Sequence, residues 1–421
     1  HKFGKTRDTS VARIRLRRYR SPVFRSFFWG RKLFVPKSTV AQDAAYKPSM
    51  FNIFTVKEDG CLIAANTLTG STISTPPSSS DKLRKLLESD TIELSQIDDL
   101  EIGDLARAGF FVKSDRDEKK AALFLKNNIN SRADHYQLIL MPTEQCNFRC
   151  VYCYEDFVKG AMTDETKEAL KKHVSSVVGK LSSLAIDWFG GEPLSAFDNV
   201  ISDLAPYFQR EASSNNCKFS SHITTNAYEL TLDRSRQHIN WGVNGFQITV
   251  DGQEEDHNQR RKLHKGSSGT FQTIIKNIDD LLSVRELFRV LIRINYDHES
   301  LARVPEFVAE LLKRFGGDPR VSLDFCPIWG DEEEATVSIP MGRDRQRTLV
   351  PLFEVAAQRG FGVGASDWFS PNGMVCYAAR ANSFVVRSNG QLNKCTVALD
   401  TDYNHVGVTN ARSHSIRTTI M

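Results

Sequence analysis

Three cysteines stand close together in one short stretch of the sequence. Cys146, Cys150 and Cys153 have a C-x3-C-x2-C spacing, and the aromatic residue Tyr152 directly precedes the last of them. A structural zinc site or a fully ligated iron–sulfur cubane takes four protein ligands. Three thiolates on one loop therefore predict a metal centre with an open coordination position, and such a position binds a reactive ligand.

Two other interpretations of the three cysteines stay open. They could be part of a zinc site that a distant residue such as His135 or Cys326 completes, or they could be buried structural thiols. The remaining five of the eight cysteines are scattered along the chain, which argues against a disulfide framework. A reducing cytoplasm fits this usage better.

The stretch from Cys146 to Tyr154 resembles the cysteine motif of the radical S-adenosylmethionine (SAM) enzymes, in particular their SPASM-bearing branch. The resemblance implies that the three cysteines bind three irons of a [4Fe–4S] cluster and that the fourth iron binds the amino and carboxylate groups of SAM. One electron from the cluster would cleave SAM to methionine and a 5′-deoxyadenosyl radical, which removes hydrogen from the substrate. It also implies an electron donor such as flavodoxin or ferredoxin.

The elements that must position these cysteines repeat along the chain. From Tyr136 onward, strands and helices alternate at intervals of about 35–45 residues, which is typical of stacked βα units. The predicted strands are Tyr136–Met141, Leu184–Phe189, Phe219–Thr224, Gly245–Val250, Arg289–Asn295 and Val321–Phe325. The predicted helices are Thr163–Leu181, Ala196–Arg210, Thr231–His238, Thr270–Leu287, Leu301–Phe315 and, after the last strand, Arg345–Arg359.

Six βα units predict an α/β fold, the partial (β/α)6 barrel of TIM type that the radical SAM family uses. In such barrels the chemistry belongs to loops at the C-terminal ends of the strands, and the three cysteines follow the first strand. The second strand ends in Gly190-Gly191-Glu192-Pro193, which resembles the GGEP motif of the family. The glycines would let backbone approach a ligand closely, and the carboxylate of Glu192 could accept a hydrogen bond from the SAM ammonium.

Further candidate SAM-binding residues follow the third and fourth strands. Thr225 and Asn226 could bond the ribose and the carboxylate of SAM, and the resemblance adds Tyr152 to this set. Asp251, with Gly252 and the pattern His257-x-x-Arg260, resembles an Asp-Gly and His-x-x-Arg pattern of the family. Asp251 could orient SAM or substrate, although Asp-Gly is also a common turn.

The fifth strand carries two polar residues, Arg293 and Asn295, which alternate with Ile292 and Ile294. Alternation places both polar side chains on one face of the strand. If that face points into the barrel, Arg293 needs an anionic partner such as the SAM carboxylate. Otherwise we expect it to pair with a helix carboxylate.

Charge divides the chain unevenly. Residues 1–48 carry 13 basic and two acidic residues, whereas the rest carries 42 basic and 49 acidic residues. An arm for nucleic acid or an anionic membrane is one interpretation, but a disordered tail is favoured. The sequence has no apolar run of the length that a membrane span needs and no secretory signal pattern. We therefore expect a cytoplasmic protein.

Residues 49–114 predict a small unit before the barrel. Two β-rich runs flank an Asp59-Gly60 turn and read as a hairpin. A Ser/Thr/Pro loop is expected at 71–80, followed by helices at Asp81–Leu87 and around Leu100–Ala108. The unit resembles the winged-helix-like leader-recognition domains of peptide-modifying radical SAM enzymes, which hold a peptide as an added strand. A purely structural prefix is the alternative.

Residues 115–135 predict a linker helix, residues 136–340 the barrel, and residues 341–421 a helix followed by a C-terminal extension. In the extension, Cys376 precedes an Asn389-Gly390 turn, and the predicted hairpin brings Cys395 back alongside. This arrangement resembles the opening half of a SPASM or Twitch domain, which carries auxiliary iron–sulfur clusters. The later cysteines of a SPASM domain are missing, so we expect a truncated segment in which an auxiliary cluster is in doubt.

The resemblance implies a radical SAM oxidoreductase that matures a peptide or protein by removing hydrogen from it. An activity like that of anaerobic sulfatase maturases, which form formylglycine from Cys or Ser, is an alternative. A catalytically inactive relative that binds a peptide or partner is an alternative of another class.

Overall fold

The computed structural model describes residues 45–93, 102–328, 343–358, 360–363, 376–410 and 415–418. This part of the chain forms two compact units, one before residue 130 and one from residue 130 onward. None of the helices within these ranges is both long and apolar enough to span a membrane.

The first unit combines two small antiparallel sheets with helices. Its elements are β1 (Ala45–Pro48), β2 (Asn52–Val56), β3 (Leu62–Asn66), β4 (Ser71–Thr75), α1 (Pro77–Leu87), β5 (Ile92–Glu93), α2 (Ile102–Arg107), β6 (Phe111–Lys113) and α3 (Glu118–Asn130). One sheet has the strand order β2-β3-β4, and the other has the order β5-β1-β6. Leu62, Ile73, Leu83 and Phe110 pack together in the core of the unit.

The structure confirms the predicted hairpin around Gly60, whose φ of 79° explains the glycine. It also confirms helices near both predicted positions and within the predicted linker. The loop expected at 71–80 is wrong, because this stretch forms β4 and the first turn of α1. The segment Ala45–Pro48 is a strand rather than disordered tail, and the rest of the predicted tail lies outside the described residues.

The second unit is built on one large sheet. Along the chain, the first nine strands of this unit are β7 (His135–Leu140), β8 (Phe148–Cys150), β9 (Ser183–Trp188), β10 (Lys218–Thr225), β11 (Val243–Thr249), β12 (Arg261–Leu263), β13 (Arg289–Tyr296), β14 (Val321–Pro327) and β15 (Gly362–Val363). The strands β7, β9, β10, β11, β13, β14 and β15 lie side by side in that order, and every pair of neighbours is parallel. The strands β8 and β12 form a separate ribbon.

All six predicted strands of the barrel are present, in the predicted order. The helices that connect and follow them are α4 (Asp164–Val177), α5 (Ser202–Ser214), α6 (Leu232–Asn240), α7 (Glu254–Arg260), α8 (Phe271–Leu282), α9 (His298–Leu301), α10 (Val304–Phe315) and α11 (Arg343–Gln358). The helix predicted to start at Ala196 begins later, because a short 3-10 helix and a π-helical turn come first. The helix predicted to reach Leu287 ends at Leu282.

Alternation along the strands creates two faces of the large sheet. In β13, Val290, Ile292 and Ile294 are buried in the core shared with the helices, whereas Arg293 and Asn295 are only half-buried on the other face. The prediction that Arg293 and Asn295 share a face is confirmed. A parallel sheet covered by helices on its apolar face leaves this polar face and the C-terminal strand ends for ligands.

The C-terminal extension continues the large sheet. Its strands are β16 (Ser383–Val386), β17 (Gln391–Asn393), β18 (His405–Asn410) and β19 (Ser415–Thr418). The strand β16 pairs in parallel with β7, and the last three strands follow as an antiparallel meander. The predicted hairpin at Gly390 is confirmed.

Candidate active site at the cysteine loop

The loop after β7, residues 141–162, carries the three cysteines, and we call it the cysteine loop. The thiols of Cys146, Cys150 and Cys153 are free. Within the loop, β8 pairs with β12 in an antiparallel ribbon that sets Arg261 opposite Cys150 and Leu263 opposite Phe148. The Phe148 ring is fully buried, so the ribbon and this ring fix the backbone that presents the cysteines.

The surroundings of the three thiols favour their protonated form. Burial raises the pKa of Cys146 to about 12 and that of Cys153 to about 11, and neighbouring cysteines add to the shift. Burial also raises the pKa of Cys150, although the guanidinium of Arg261 opposes the effect. A metal centre here must therefore displace protons from the thiols when it binds.

The donor set fits a cluster better than a single ion. No three His, Cys, Asp or Glu side chains within the described ranges are grouped closely enough to hold one metal ion. His135 begins β7 and the cysteines follow its end, so about 20 Å of strand separate this histidine from the loop, and it cannot complete a zinc site there. In a [4Fe–4S] cluster each thiolate binds a different iron, so the ligands need not converge on one point.

The glycines after β9 make room for the cysteine loop. Gly190 has a φ of 98°, and a Cβ there would lie 2.6 Å from the carbonyl oxygen of Thr143. A Cβ on Gly191 would overlap the backbone of Gln145, whose carbonyl accepts a 2.9 Å hydrogen bond from the amide of Glu192. The close approach that these glycines allow is thus made by the loop itself, whereas the sequence predicted a ligand.

Glu192 is almost fully buried and ties two strand ends together. One carboxylate oxygen accepts hydrogen bonds from the amide of Leu194 at 2.9 Å and the hydroxyl of Thr225 at 2.7 Å, and the other from the amide of Asn226 at 2.7 Å. Burial nevertheless raises the pKa of Glu192 to about 7. A contact between Glu192 and the SAM ammonium stays a prediction.

Asn226 connects the end of β10 to the cysteine loop. Its side-chain amide donates to the side-chain oxygen of Asn147 at 2.7 Å and lies 3.9 Å from the sulfur of Cys146. Asn147 in turn donates to Glu229 at 3.0 Å. Of the predicted residues, Glu192, Thr225 and Asn226 are therefore brought together beside Cys146, and their contacts with SAM stay predictions.

A second polar network surrounds the ring of Tyr152. The hydroxyl of Tyr152 donates to the buried carboxylate of Asp251, and it accepts hydrogen bonds from Arg261 at 2.9 Å and Asn295 at 3.1 Å. Asp251 also accepts from the backbone amide of Asn295 at 3.1 Å. The structure thus brings the predicted residues Tyr152 and Asp251 together, and it adds Arg261 and Asn295.

Burial controls the charges in this network. The pKa of Asp251 is raised, mainly by burial, while Arg261 opposes the shift from 3.9 Å. His257 is buried too; its Nδ1 accepts from the amide of Asp251 at 3.2 Å, and burial lowers the pKa of His257 to about 2. Arg260 forms an ion pair with Asp297 at 2.7 Å. His257 and Arg260 thus stabilise the structure around Asp251.

Arg293 has a partner on the neighbouring strand. Its guanidinium donates to the carboxylate of Asp324 on β14 at 3.0 and 2.9 Å, and about one third of each side chain is exposed. The sequence predicted either SAM or a helix carboxylate as the partner, and the strand carboxylate was missed. Pairing of the two residues across parallel strands could not be seen without the register of β13 against β14.

The segments that carry the two C-terminal cysteines are joined by hydrogen bonds. The hydroxyl of Tyr377, next to Cys376, lies 2.7 Å from the hydroxyl of Thr396, next to Cys395, and accepts from its amide at 2.9 Å. The pKa of Tyr377 is raised by burial and by the charges of Cys395 and Cys376. Proximity of Cys376 and Cys395 to each other, and an auxiliary cluster there, stay predictions.

One family model matches part of the chain. Residues 140–311 match the model of the radical SAM superfamily. The cysteine loop lies within the matched range. No curated protein sequence matches the chain.

Solved structures of two proteins are similar to this chain. The enzyme anSMEcpe with bound SAM is 19% identical, with a TM-score of 0.53 over 67% of this chain and 82% of that chain. The same enzyme with SAM and the Kp18Cys peptide is 18% identical, with a TM-score of 0.51 over 67% and 83%. SuiB from Streptococcus suis is 14% identical, with a TM-score of 0.49 over 87% and 86%.

Proposed function

We propose that this protein is a radical SAM enzyme that reductively cleaves SAM and removes hydrogen from a peptide or protein substrate. The observation that carries the proposal is the position of Cys146, Cys150 and Cys153. They lie on a backbone-fixed loop at the C-terminal end of β7, inside the matched radical SAM domain. These cysteines would hold a [4Fe–4S] cluster, which would supply the electron for reductive cleavage of SAM.

The role of the protein would be to position the cluster and SAM and to exclude water from them. Three thiols with one open position suit a cluster that must also bind SAM. The hydrogen-bond networks around Glu192 and Tyr152 both contact the cysteine loop. The carboxylates in these networks, those of Glu192 and Asp251, are buried. Arg293 lies on the polar face of the sheet, where its guanidinium could pair with the carboxylate of SAM as well as with Asp324. An electron donor such as flavodoxin or ferredoxin would reduce the enzyme.

A peptide substrate is supported by the first unit. In the sheet β2-β3-β4, the strand β2 is at an edge, and Ile53 and Val56 on it are 49% and 46% exposed. An exposed apolar edge strand can accept an extended peptide as an added strand. A peptide-recognition role for this unit therefore remains part of the proposal. The structure of anSMEcpe with the Kp18Cys peptide adds support by fold alone.

Formation of formylglycine, the alternative that the sequence raised, is the second candidate activity, and anSMEcpe has a similar fold. A test peptide with a single Cys, compared with a matched peptide that has Ala in its place, distinguishes formylglycine formation from other modifications. A mass loss from the Cys peptide alone that matches replacement of the thiol by an aldehyde would favour formylglycine, whereas a loss of two hydrogens with the sulfur retained would indicate another modification. Unchanged mass would leave another target residue or a binding role.

The deciding experiment is an assay of 5′-deoxyadenosine. The protein is reconstituted anaerobically with iron and sulfide and given SAM and dithionite. The wild type and a Cys61→Ala control, whose thiol lies in the first unit, should form 5′-deoxyadenosine. The Cys146→Ala, Cys150→Ala, Cys153→Ala triple variant should form none. A wild type with a complete cluster and bound SAM but no product would reject the enzyme proposal and favour an inactive binding relative.

A further inference from the structure

A buried ion pair joins the cysteine loop to the C-terminal extension. Glu144, two residues before Cys146, is 6% exposed, and Arg387, directly after β16, is 3% exposed. The guanidinium donates to both carboxylate oxygens of Glu144, at 3.2 and 2.5 Å. The two residues are 243 positions apart in the sequence, so neither would be placed here by local structure.

Arg387 is fixed by more than this one partner. Its guanidinium also donates to the carbonyl of Leu399 at 2.9 Å and to the carboxylate of Asp400 at 2.6 Å. The neighbouring hydroxyl of Ser388 donates to Glu144 at 3.2 Å. Arg387 and Ser388 of the extension therefore bind the carboxylate of Glu144 through several charge-assisted hydrogen bonds.

The loop contributes a second cation from its far side. Lys159, six residues after Cys153, lies 3.7 Å from Glu144 and 3.5 Å from Asp400. Thus the chain before the cysteines and the chain after them meet at the same charge cluster. Because Glu144 is buried, loss of Arg387 would leave its charge poorly compensated, and the loop would have to open to hydrate it.

The backbone supports the same link. The strand β16 pairs with β7 up to Val386 opposite Leu140, and the amide of Met141 donates to the carbonyl of Val386 at 2.9 Å. Arg387 and the cysteine loop thus leave two adjacent parallel strands at the same edge of the sheet. Their side chains meet where both strands end.

We propose that Arg387 is a positioning residue for the cysteine loop, and that the C-terminal extension holds the cluster-binding cysteines in place through the Arg387–Glu144 pair. This role does not need an auxiliary cluster at Cys376 and Cys395. The consequence for the cluster rests on the proposed function, whereas the consequence for the loop itself does not.

Hydrogen exchange of the full-length apo protein tests the loop directly. We expect Arg387→Met to raise amide exchange at residues 143–153 by on the order of tenfold or more, since breaking a buried pair is strongly destabilising. The double variant Glu144→Gln, Arg387→Met should lose much of this effect, because it leaves no unpaired charge. Arg314→Met is the control, since its pair with Asp279 is about half exposed.

Cluster retention tests the consequence. After reconstitution, Arg387→Met should lose iron to a chelator on the order of tenfold faster than the wild type or Arg314→Met. Exchange and iron loss equal to the wild type would overturn the proposal. If the wild type binds no cluster, the proposed function fails, and exchange alone decides the role of Arg387.

Failure to fold is also informative. If Arg387→Met does not fold by circular dichroism, folding restored in the double variant would support the pairing with Glu144. A double variant that also fails to fold would overturn it, because Arg387 would then act through other partners.

Discussion

Arg261 lies directly opposite Cys150 in the antiparallel ribbon of β8 and β12. Residues opposite each other in such a ribbon have Cβ atoms about 4.5–5.5 Å apart and project on the same face. The guanidinium is 8% exposed, and its Nε has no hydrogen-bond partner within the described residues. A buried cation with a free donor thus stands beside a predicted cluster ligand, where an anionic ligand would pair with it.

Replacing Arg261 with Gln should destabilise the apo protein. The buried carboxylate of Asp251 would lose its cation, and the cost of such a broken pair is about 3–5 kcal/mol. Urea unfolding of the apo protein measures this loss. The double variant Asp251→Asn, Arg261→Gln should recover most of it. Equal destabilisation in the single and double variants would show that the charge of Asp251 is not the cause.

Gly191→Ala should disturb the cysteine loop. The added methyl group would overlap the backbone of Gln145, and overpacking of this kind costs about 1–3 kcal/mol. We expect a lower melting temperature and a lower iron content after reconstitution. Gly160→Ala is the control, because Gly160 lies in the cysteine loop itself and a Cβ there meets no atom within 4 Å. Similar iron contents in the two variants would argue against close packing at Gly191.

Glu192 should make stability depend on pH. Its pKa of about 7 in the folded protein exceeds the ordinary value of 4.5, so the folded state holds a proton that the unfolded state releases. Stability should therefore be greatest below pH 4.5, fall as pH rises from 4.5 to 7, and then level off. The total loss is about 3 kcal/mol, from 1.36 kcal/mol per pKa unit.

Comparison with Glu192→Gln isolates this contribution. Burial lowers the pKa of His173 and His238 to about 4, so these residues make stability rise with pH between 4 and 6.5. Both proteins share that effect, and it cancels in the difference. If Gln mimics the protonated acid, the urea midpoints of the two proteins should converge as pH falls from 8 to 4.5, and Glu192→Gln should be the more stable protein at pH 8. A difference that stays constant with pH would mean that Glu192 does not titrate in this range.

Local patterns predicted the sheet well. Alternation in β13 and the turn residues at Gly60 and Gly390 are properties of a few neighbouring residues, and the structure confirms each of them. The stretch 71–80 failed because Ser and Thr suit both loops and strands, and only the burial of Ile73 and Thr75 against the unit decides for β4.

The site was predictable in its cysteines but not in its partners. The spacing of the cysteines is local, and it placed the loop after the first strand correctly. Arg387 and Glu144, or Arg293 and Asp324, meet only through the order and register of strands that are distant in sequence. A charged residue read from sequence shows that a partner is needed, and the fold decides which one.

Arg293→Gln should weaken SAM binding to the reconstituted protein by roughly tenfold, since hydrogen bonds to charged groups are worth about 1.5–3 kcal/mol. Isothermal titration with SAM measures the affinity, and an unchanged iron content would show that the cluster is intact. Arg289→Gln is the matched control on the same face of β13, about 13 Å nearer the start of the strand. Equal affinities in the two variants would mean that Arg293 pairs only with Asp324. The carboxylate of SAM would then be bound by another cation, and Arg261, whose Nε is a free donor among the described residues, is the next candidate.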